Sequence, residues 1–275
     1  MPAVPRLSRV GWLMWPLDVL DRALCWPWRE LRGLPPNRMR IRVGVGNRIL
    51  FNGAHFVRFP VNFWLEALAA GVVRPDSRIV DLGSGCGRFA AVWRDFMYHG
   101  RGFTGVYTGV DIDEEMLAWC RGHFPPGRFV WINAGMASSV YNPGGAKGPV
   151  RLAIEDATQD FVLSNSLFTH LVEDDFGAYI REAARILKAG GAFQISVLAI
   201  EDVRERERAT GRAGRWAFAH RLGRAWVESA EYPEAAVAYE WAFIEETCRG
   251  AGFGDVERMP MDGHTVVRWR KAAGA

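Results

Sequence analysis

The chain has 275 residues, 49% of them hydrophobic, and carries 34 basic against 31 acidic residues. This length allows a full core in one globular unit, with or without extensions. The net charge of +3 provides no overall field that would favour a nucleic acid, so no nucleic-acid partner is expected. No uninterrupted apolar run reaches the roughly 20 residues that a membrane-spanning helix needs.

The four cysteines lie far apart, and no two of them form a C-x-x-C pair. They are Cys25, Cys86, Cys120 and Cys248. Scattered thiols fit a reduced, cytoplasmic protein better than a disulfide framework or a zinc site. No group of side chains has metal-ligand spacing, so no metal is predicted.

Residues 1–30 carry four tryptophans: Trp12, Trp15, Trp26 and Trp28. A secretory signal built on Arg6 and Arg9 is rejected, because Pro16, Asp18 and Asp21 interrupt the apolar stretch. Two hypotheses remain open. The segment packs its tryptophans on the rest of the chain, or it rests on a membrane with the rings at headgroup level.

A basic run follows, opposed by Glu30 alone: Arg29, Arg32, Arg38, Arg40, Arg42 and Arg48. It could face anionic lipid or a phosphorylated substrate, or form a solvated surface. We divide the chain into an N-terminal extension, residues 1–50, and a domain, residues 51–275. The extension is expected to close over the ligand side of the domain, and a peripheral membrane contact through it is one hypothesis.

A helix is predicted over residues 59–72, ending at Gly71, and it leads into a β-branched run that begins at Arg78. That run predicts a buried strand, which breaks directly into Gly83, Gly85 and Gly87. Alternating glycines take backbone angles that a Cβ forbids and let a ligand lie against bare main chain. Residues 89–97 are predicted as the next helix.

The spacing of these glycines is G-x-G-x-G rather than the G-x-G-x-x-G of a dinucleotide loop, and Asp81 lies two residues before the first one. The pattern resembles motif I of class I S-adenosylmethionine-dependent methyltransferases. The resemblance implies S-adenosyl-L-methionine as cofactor. Asp81 could help hold the ammonium of that cofactor, directly or through water, while turn amides meet the rest. A glycine-rich turn without a ligand is the alternative.

Residues 105–111 alternate and end in an acid, and residues 114–121 are predicted as a helix, giving a second βα unit. Asp111 matches the family's ribose-binding acid, since a carboxylate at this strand end can accept both ribose hydroxyls. Asp113 is predicted to cap the helix. A third strand, 129–132, leads to a loop that should lie by the adenine. This loop lacks the acid that many relatives have, so Met136 and backbone groups are expected there.

Residues 141–145 are predicted as a turn, 146–157 as a loop or edge element, and 160–164 as the fourth strand. Ligands in this fold class sit at the carboxyl ends of strands, so the following loop, 165–171, is the expected site of reaction. It resembles the S-V-F-T-H loop of one methyltransferase subgroup, and residues 141–143 and 233–239 resemble patterns of the same subgroup.

The resemblance implies a Rossmann-like α/β fold, a doubly wound and mostly parallel sheet with a C-terminal antiparallel hairpin. It also implies a set of cofactor-binding residues at four strand ends: Asp81, Gly83, Ser84, Gly85, Gly87, Asp111, Ile112, Gly135, Met136, Ser164 and Asn165.

A helix is predicted over residues 174–188, stopped by Gly190 and Gly191, with a fifth strand over 191–197. Residues 201–232 alternate in charge, with arginines that include Arg212 and Arg215. The resemblance implies an insert that caps the substrate cleft; the alternative is an exposed charged helix. The last helix is predicted from the helical spacing of Val237, Trp241, Ile244 and Cys248. Residues 254–260 and 264–270 should form the closing hairpin.

Methyl transfer from a sulfonium needs little besides alignment, so few catalytic side chains are required. An acceptor hydroxyl or amine would benefit from a general base, and His170 is the histidine that the motif places at the cleft. Its alternative role is to cap the next helix; His264 and His55 are secondary candidates.

The sequence thus predicts a methyltransferase acting on a small-molecule, sugar- or lipid-linked acceptor. The alternatives are a catalytically silent cofactor-binding or membrane-associated scaffold and, from another class, a nicotinamide-dependent oxidoreductase. No oligomeric state is predicted.

Overall fold

A computed structural model describes residues 11–44, 50–98, 100–136, 145, 150–211, 214, 216–261 and 263–273. Several predictions fall on residues outside this description. They concern Arg6, Arg9, Arg48, Arg212, Arg215, the turn and motif at 141–144, and residues 146–149.

The described helices are α1 Gly11–Cys25, α2 Asn37–Arg42, α3 Gly53–Ala69, α4 Ala90–Asp95, α5 Glu114–His123, α6 Glu173–Ile186, α7 Ile200–Thr210 and α8 Trp241–Gly250. The described strands are β1 Arg78–Leu82, β2 Met97–Tyr98, β3 Arg101–Gly102, β4 Val106–Asp111, β5 Phe129–Asn133, β6 Gln159–Ser164, β7 Leu187–Val197, β8 His220–Leu222, β9 Ala225–Val227, β10 Val237–Tyr239, β11 Phe253–Met261 and β12 His264–Lys271.

Within the described residues, the main sheet has seven strands in the order β11-β12-β7-β6-β1-β4-β5. The strands from β7 to β5 are parallel, whereas β12 runs antiparallel to β7 and to β11. This confirms the predicted fold: a doubly wound α/β sheet that ends in an antiparallel hairpin. Because the order reverses between β1 and β6, the carboxyl ends of those two strands flank the crevice in which this fold class binds ligands.

Both faces of the parallel strands are covered, which explains why they read as continuous apolar runs. On one face, Ile79 and Phe161 pack with Trp64 of α3 and Trp93 of α4. On the other face, Val162 and Phe193 pack with residues of α6 such as Phe176 and Ile180. The parallel strands are therefore covered on both sides, so ligands can reach the loops at their ends.

Helix α3 begins at Gly53 rather than at residue 59 and contains Pro60. Proline has no N–H, so the carbonyl of Phe56, four residues earlier, loses its helical donor. Arg88 supplies the replacement, because its Nε donates to the Phe56 oxygen at 3.0 Å. The helix thereby continues through a residue that would otherwise break it.

Two predicted element boundaries near the C-terminal half are wrong. Helix α6 ends at Ile186 and β7 begins at Leu187, so Gly190 and Gly191 lie inside the strand instead of stopping the helix. Val237 belongs to β10 and not to the last helix, because it pairs with Val227 of β9. Its helical spacing with Trp241 is a coincidence of composition.

The charged stretch after β7 forms α7 and then a small antiparallel sheet, β10-β9-β8, rather than a lone exposed helix. A separate apolar cluster holds this insert together: Leu198, Ile200, Val203, Phe218, Ala236 and Ala238. The other face of the small sheet belongs to the main core cluster through Ala225, Val227, Val237 and Tyr239, so the insert packs on the rest of the domain.

The N-terminal residues differ most from expectation. The hypothesis that the tryptophans pack on the domain is wrong, since Trp12, Trp15, Trp26 and Trp28 are all exposed. The basic run is not a solvated surface throughout either, because the side chains of Arg40 and Arg42 are buried in ion pairs. None of the described helices is long and apolar enough to cross a membrane. The division of the chain at residue 50 stays a prediction.

Candidate functional site

The loop after β1 contains the three glycines in left-handed conformations, with φ of +80° at Gly83, +53° at Gly85 and +75° at Gly87. A Cβ on Gly83 would lie 3.1 Å from Leu167, and one on Gly87 would lie 2.8 Å from Phe124. A Cβ on Gly85 would collide with Val43. The glycines thus permit the turn. They also allow Leu167, Phe124 and Val43 of this chain to pack closely on the loop, where the sequence predicted a ligand.

Main-chain amides of the loop also have partners inside the chain. Gly83 and Ser84 donate to the Val110 carbonyl at 2.8 and 3.0 Å, and Gly87 donates to the Ser84 carbonyl at 3.1 Å. The Ser84 hydroxyl is different: it is buried and, among the described residues, it has no hydrogen-bond partner. A Cβ on Gly109 of β4 would lie 2.9 Å from this oxygen, so the hydroxyl lies against β4.

Asp111 ends β4 beside this loop. Its Oδ2 accepts the Gly85 amide at 2.7 Å, and its Oδ1 accepts the amides of Ile112 and Asp113 at 2.8 and 2.9 Å. Burial raises the pKa of this carboxyl, although the three N–H donors act in the opposite direction. A carboxylate offers about four acceptor positions, so a ribose diol would share the oxygens with these amides.

Asp81 of β1 is only 1% exposed and accepts a hydrogen bond from the Tyr107 hydroxyl at 2.5 Å. Burial raises the pKa of its carboxyl to about 7; the Tyr107 hydroxyl lowers it, and the nearby charge of Asp111 adds to the rise. A cation beside Asp81 would favour the ionised form. The structure thus contains a buried carboxyl next to the glycine loop, as the motif predicted.

The loop after β5 is partly exposed. Gly135 has φ +65° and donates its amide to Asn133 Oδ1 at 2.8 Å, whereas Met136 is buried in the large core cluster. The adenine role of Gly135 and Met136 stays a prediction. Glu114 reaches this loop, since its Oε2 accepts a hydrogen bond from Asn133 Nδ2 at 2.9 Å. Glu114 lies three residues after Asp111, outside the loop itself, and for that reason no acid was expected there from the sequence.

Two polar side chains, Ser164 and Asn165, lie where β6 ends and the following loop begins. The Ser164 hydroxyl donates to the Leu82 carbonyl at 2.8 Å and so ties the ends of β6 and β1 together. Asn165 is half-buried. Ser166 has a left-handed φ of +72°, and its amide donates to Ser196 Oγ at 2.7 Å. Non-glycine residues adopt this conformation where the surroundings enforce it, often at functional sites.

His170 lies on the same loop, half-buried, with Nδ1 2.8 Å from the Glu234 carbonyl. Two further hydrogen bonds join this loop to the insert. Val237 donates its amide to the Thr169 carbonyl at 2.8 Å, and the Tyr239 hydroxyl donates to the Leu171 carbonyl at 3.0 Å. The structure therefore brings together two segments that the sequence linked only through their shared resemblance.

The secondary histidine candidates lie elsewhere. His264 begins β12, which β7 separates from β6, and its ring centroid is 6.3 Å from that of Trp216. His55 lies on α3, and its carbonyl accepts a hydrogen bond from Arg88 at 3.0 Å. Neither is joined to the loop after β6 by a bond that the structure describes.

Arg88 is a further residue of the site that the sequence did not single out. It follows Gly87 directly, is buried against α3, and burial lowers its pKa to about 10. Through the Phe56 and His55 carbonyls it fixes the glycine loop to α3. The sequence did contain a signal for such a residue, because Pro60 leaves the Phe56 carbonyl without its helical donor.

The N-terminal extension covers one side of the loop. Helix α2 packs Met39 against Phe56, Cys86 and Met116, and Val43 lies against Gly85. Arg42 forms ion pairs with Asp113 at 3.0 Å and with Glu115 at 2.6 Å. Asp113 also caps α5 as predicted, accepting the Met116 amide.

Comparison with known proteins gives one family match and a set of similar folds. Residues 80–195 match the family model described as a methyltransferase domain. Magnesium protoporphyrin IX methyltransferase from Synechocystis, solved with bound SAH, is 13% identical with a TM-score of 0.50, over 94% of this chain and 99% of that one.

The 1,6-didemethyltoxoflavin-N1-methyltransferase of Burkholderia thailandensis, solved with its substrate and S-adenosylhomocysteine, is 18% identical with a TM-score of 0.47, over 79% of each chain. The matched residues 80–195 run from the strand that precedes the glycine loop to β7 and include both acids and the loop after β6. Together with the strand order, this match supports the class I S-adenosylmethionine-dependent methyltransferase superfamily.

Proposed function

We propose that the glycine loop and its two acids bind S-adenosyl-L-methionine and that the chain transfers a methyl group to a small-molecule, sugar- or lipid-linked acceptor. The observation that carries the proposal is a pair of carboxyls, the buried Asp81 and the half-buried Asp111, on adjacent strands beside a three-glycine loop. The Synechocystis methyltransferase of similar fold, which was solved with bound SAH, supports the proposal.

The residues fit this cofactor in two respects. Asp81 has a pKa raised to about 7 by burial, and an ammonium placed beside it would stabilise its carboxylate. Asp111 ends the adjacent strand β4, and its Oδ2 accepts the Gly85 amide at 2.7 Å, so a second carboxyl lies at the same loop. Asp111 would hold the ribose, and Gly135, Met136, Ser164 and Asn165 would line the remaining cofactor surface.

When bound, the cofactor supplies a methyl group already activated by its sulfonium. The chain then needs mainly to align the acceptor, which can contribute roughly 7–11 kcal/mol to lowering the barrier. We propose His170 as the base that takes the acceptor's proton. A ring that donates through Nδ1 to the Glu234 carbonyl carries its proton-accepting lone pair on Nε2.

Calorimetry of the full chain with S-adenosylmethionine, S-adenosylhomocysteine and NAD tests the cofactor. We expect both sulfur nucleosides to bind and NAD to show no heat. Asp255→Asn, a change at an exposed acid of β11, should bind like the native chain. If neither sulfur nucleoside binds, the proposal is wrong.

The acceptor and the base are tested next, with a labelled methyl donor and separate aqueous and lipid fractions of a cell extract. His170→Asn keeps a side-chain donor for Glu234, yet should slow methyl transfer on the order of 10²–10⁴-fold with cofactor affinity unchanged. His220→Asn, at an exposed position of β8, is the control. Full activity in His170→Asn would leave His170 with the role of fastening the insert.

A catalytically silent scaffold is the second candidate. It is favoured by the loop amides, which already donate to Val110, Ser84 and Asp111 of the chain itself. Such a scaffold would bind the cofactor weakly in calorimetry and transfer no label to either fraction.

A further inference from the structure

Helix α1 turns its two acids, Asp18 and Asp21, toward the protein and most of its large apolar side chains toward solvent. Its buried residues are Met14, Asp21 and Cys25. The opposite side carries large apolar side chains in solvent: Trp12, Leu13, Trp15, Val19, Leu20 and Leu24. Trp12 is 80% and Trp15 65% exposed. A surface helix of a soluble domain normally has the reverse arrangement, with its apolar stripe against the core.

Two ion pairs to α2 fix this orientation. Asp18 pairs with Arg38 at 2.5 Å and also accepts the Arg38 amide at 2.8 Å. Asp21 pairs with Arg40, and both of those side chains are buried. Arg40 is itself held by Asn52 Oδ1 at 2.7 Å and by the Pro35 carbonyl at 2.8 Å. Turning the apolar side of α1 inward would leave these buried charges unpaired, which is strongly unfavourable.

The charges next to the apolar side are positive. Arg22, Arg29 and Arg32 are exposed, and Glu30 is the only acid in the sequence from 22 to 32. The Arg32 guanidinium lies over the Trp26 ring, 4.8 Å from its centroid, at the edge of the apolar surface. Asp18 and Asp21 face the protein and are paired there, so they do not offset these arginines.

We propose that the outer face of α1, with Trp26 and Trp28 beyond its end, docks on an anionic lipid surface as an interfacial helix. Tryptophan and arginine on one side are the combination that such helices use, the rings at headgroup level and the guanidinium groups at the phosphates. With 15 residues the helix is about 22 Å long, which is shorter than the roughly 30 Å hydrocarbon core of a bilayer. It would therefore lie along the membrane interface and would not span the bilayer. A second copy of this chain fits less well, because the same arginines would face each other.

This placement has a consequence for the site. Helix α2 links α1 to the glycine loop, through Arg38 and Arg40 on one side and Val43 on the other. A lipid surface against α1 would therefore lie on the side of the molecule where the extension covers the loop. The docking itself does not depend on the proposed methyl transfer.

The test is co-sedimentation of the full chain with vesicles of phosphatidylcholine alone or mixed in equal parts with phosphatidylglycerol. We expect binding to the mixed vesicles at low salt, weaker binding to phosphatidylcholine, and a steep fall with added salt, because surface charges are screened over about 10 Å at 0.1 M.

Trp12→Ser combined with Trp15→Ser should weaken the vesicle binding on the order of tenfold or more. Leu65→Ser, at an exposed apolar position of α3, is the control and should bind like the native chain. All variants should keep the native melting temperature and the native affinity for S-adenosylhomocysteine, which separates failure of docking from failure of the proposed function.

Three results would overturn the proposal: no sedimentation with the mixed vesicles at low salt, sedimentation that the tryptophan changes leave intact, or a lipid-free dimer that these changes dissociate. The last result would assign the face to a second copy of the chain.

Discussion

Asp81 and Asp111 are the same residue type, lie at the ends of adjacent parallel strands and flank one glycine loop, yet their surroundings differ. Asp111 accepts three main-chain amides, from Gly85, Ile112 and Asp113. Asp81 accepts one side-chain hydroxyl, that of Tyr107, in a fully buried position.

The difference separates two tasks. Asp111 stabilises the turn itself, because its oxygens hold three amides that few other groups could satisfy. Asp81 has few donors to offset burial, so its pKa rises to about 7. The Tyr107 hydroxyl stabilises its carboxylate only in part. The motif names both acids as cofactor ligands, yet in the structure only Asp111 holds the amides of the loop.

The largest effect is expected from Asp111→Ala. It leaves three amides without an acceptor, and an unsatisfied buried donor costs roughly 1–3 kcal/mol. We expect the free energy of unfolding to fall by about 2 kcal/mol, together with a large loss of cofactor affinity. Urea unfolding and calorimetry measure the two effects. Asp111→Asn keeps one acceptor oxygen, so its free energy of unfolding should lie between those of Asp111→Ala and the native chain. An unchanged unfolding midpoint in Asp111→Ala would contradict the role of Asp111 in stabilising the turn.

The second effect concerns pH. The pKa of Asp81 is about 7 in the folded chain, against an ordinary value of 3.8. Its contribution to stability is therefore fully present below about pH 3.8 and is lost as the pH rises toward 7. Asp81→Asn should show a smaller decline in melting temperature between pH 4 and pH 7. An identical pH profile in variant and native chain would contradict the assignment.

The same carboxyl should release a proton when the cofactor's ammonium binds, because a cation favours the ionised form. Calorimetry at slightly acidic pH in two buffers of different ionisation enthalpy measures this release. We expect a fractional proton release in the native chain and none in Asp81→Asn. Equal release in both would mean that the ammonium lies elsewhere.

The smallest effect is expected from Tyr107→Phe, which removes the only hydroxyl described at Asp81 and keeps the ring in the core. The pKa of Asp81 should rise further, and the free energy of unfolding should change by about 1 kcal/mol. Carbon-detected NMR titration of the Asp81 carboxyl measures the pKa. A lower pKa in this variant would contradict the donor role of Tyr107.

Local sequence patterns predicted much of the fold and of the site. The strand–glycine–helix unit at Arg78 to Gly87, the acid that ends β4 and the cap at Asp113 depend on neighbours in the chain, so they can be read from it. Val237 could not be placed in this way, because its partner Val227 and the Thr169 carbonyl come from distant segments.

The orientation of α1 could not be predicted from the sequence either. The tryptophans alone are compatible with either a packed or an exposed side, and the decision depends on whether Asp18 and Asp21 find arginines in the fold. Arg40 and Arg42 looked like surface charge for the same reason, since their acidic partners are assembled only by tertiary contacts.

The pairing of Pro60 with Arg88 has a consequence for local opening. A proline gap in α3 is closed by a side chain of the glycine loop, so neither element can loosen without exposing a polar group of the other. Native-state hydrogen exchange should therefore show the two opening as one cooperative unit. Replacing Arg88 by methionine would divide that unit, and the amides of α3 around Pro60 would then exchange faster than those of β1, on which the loop begins.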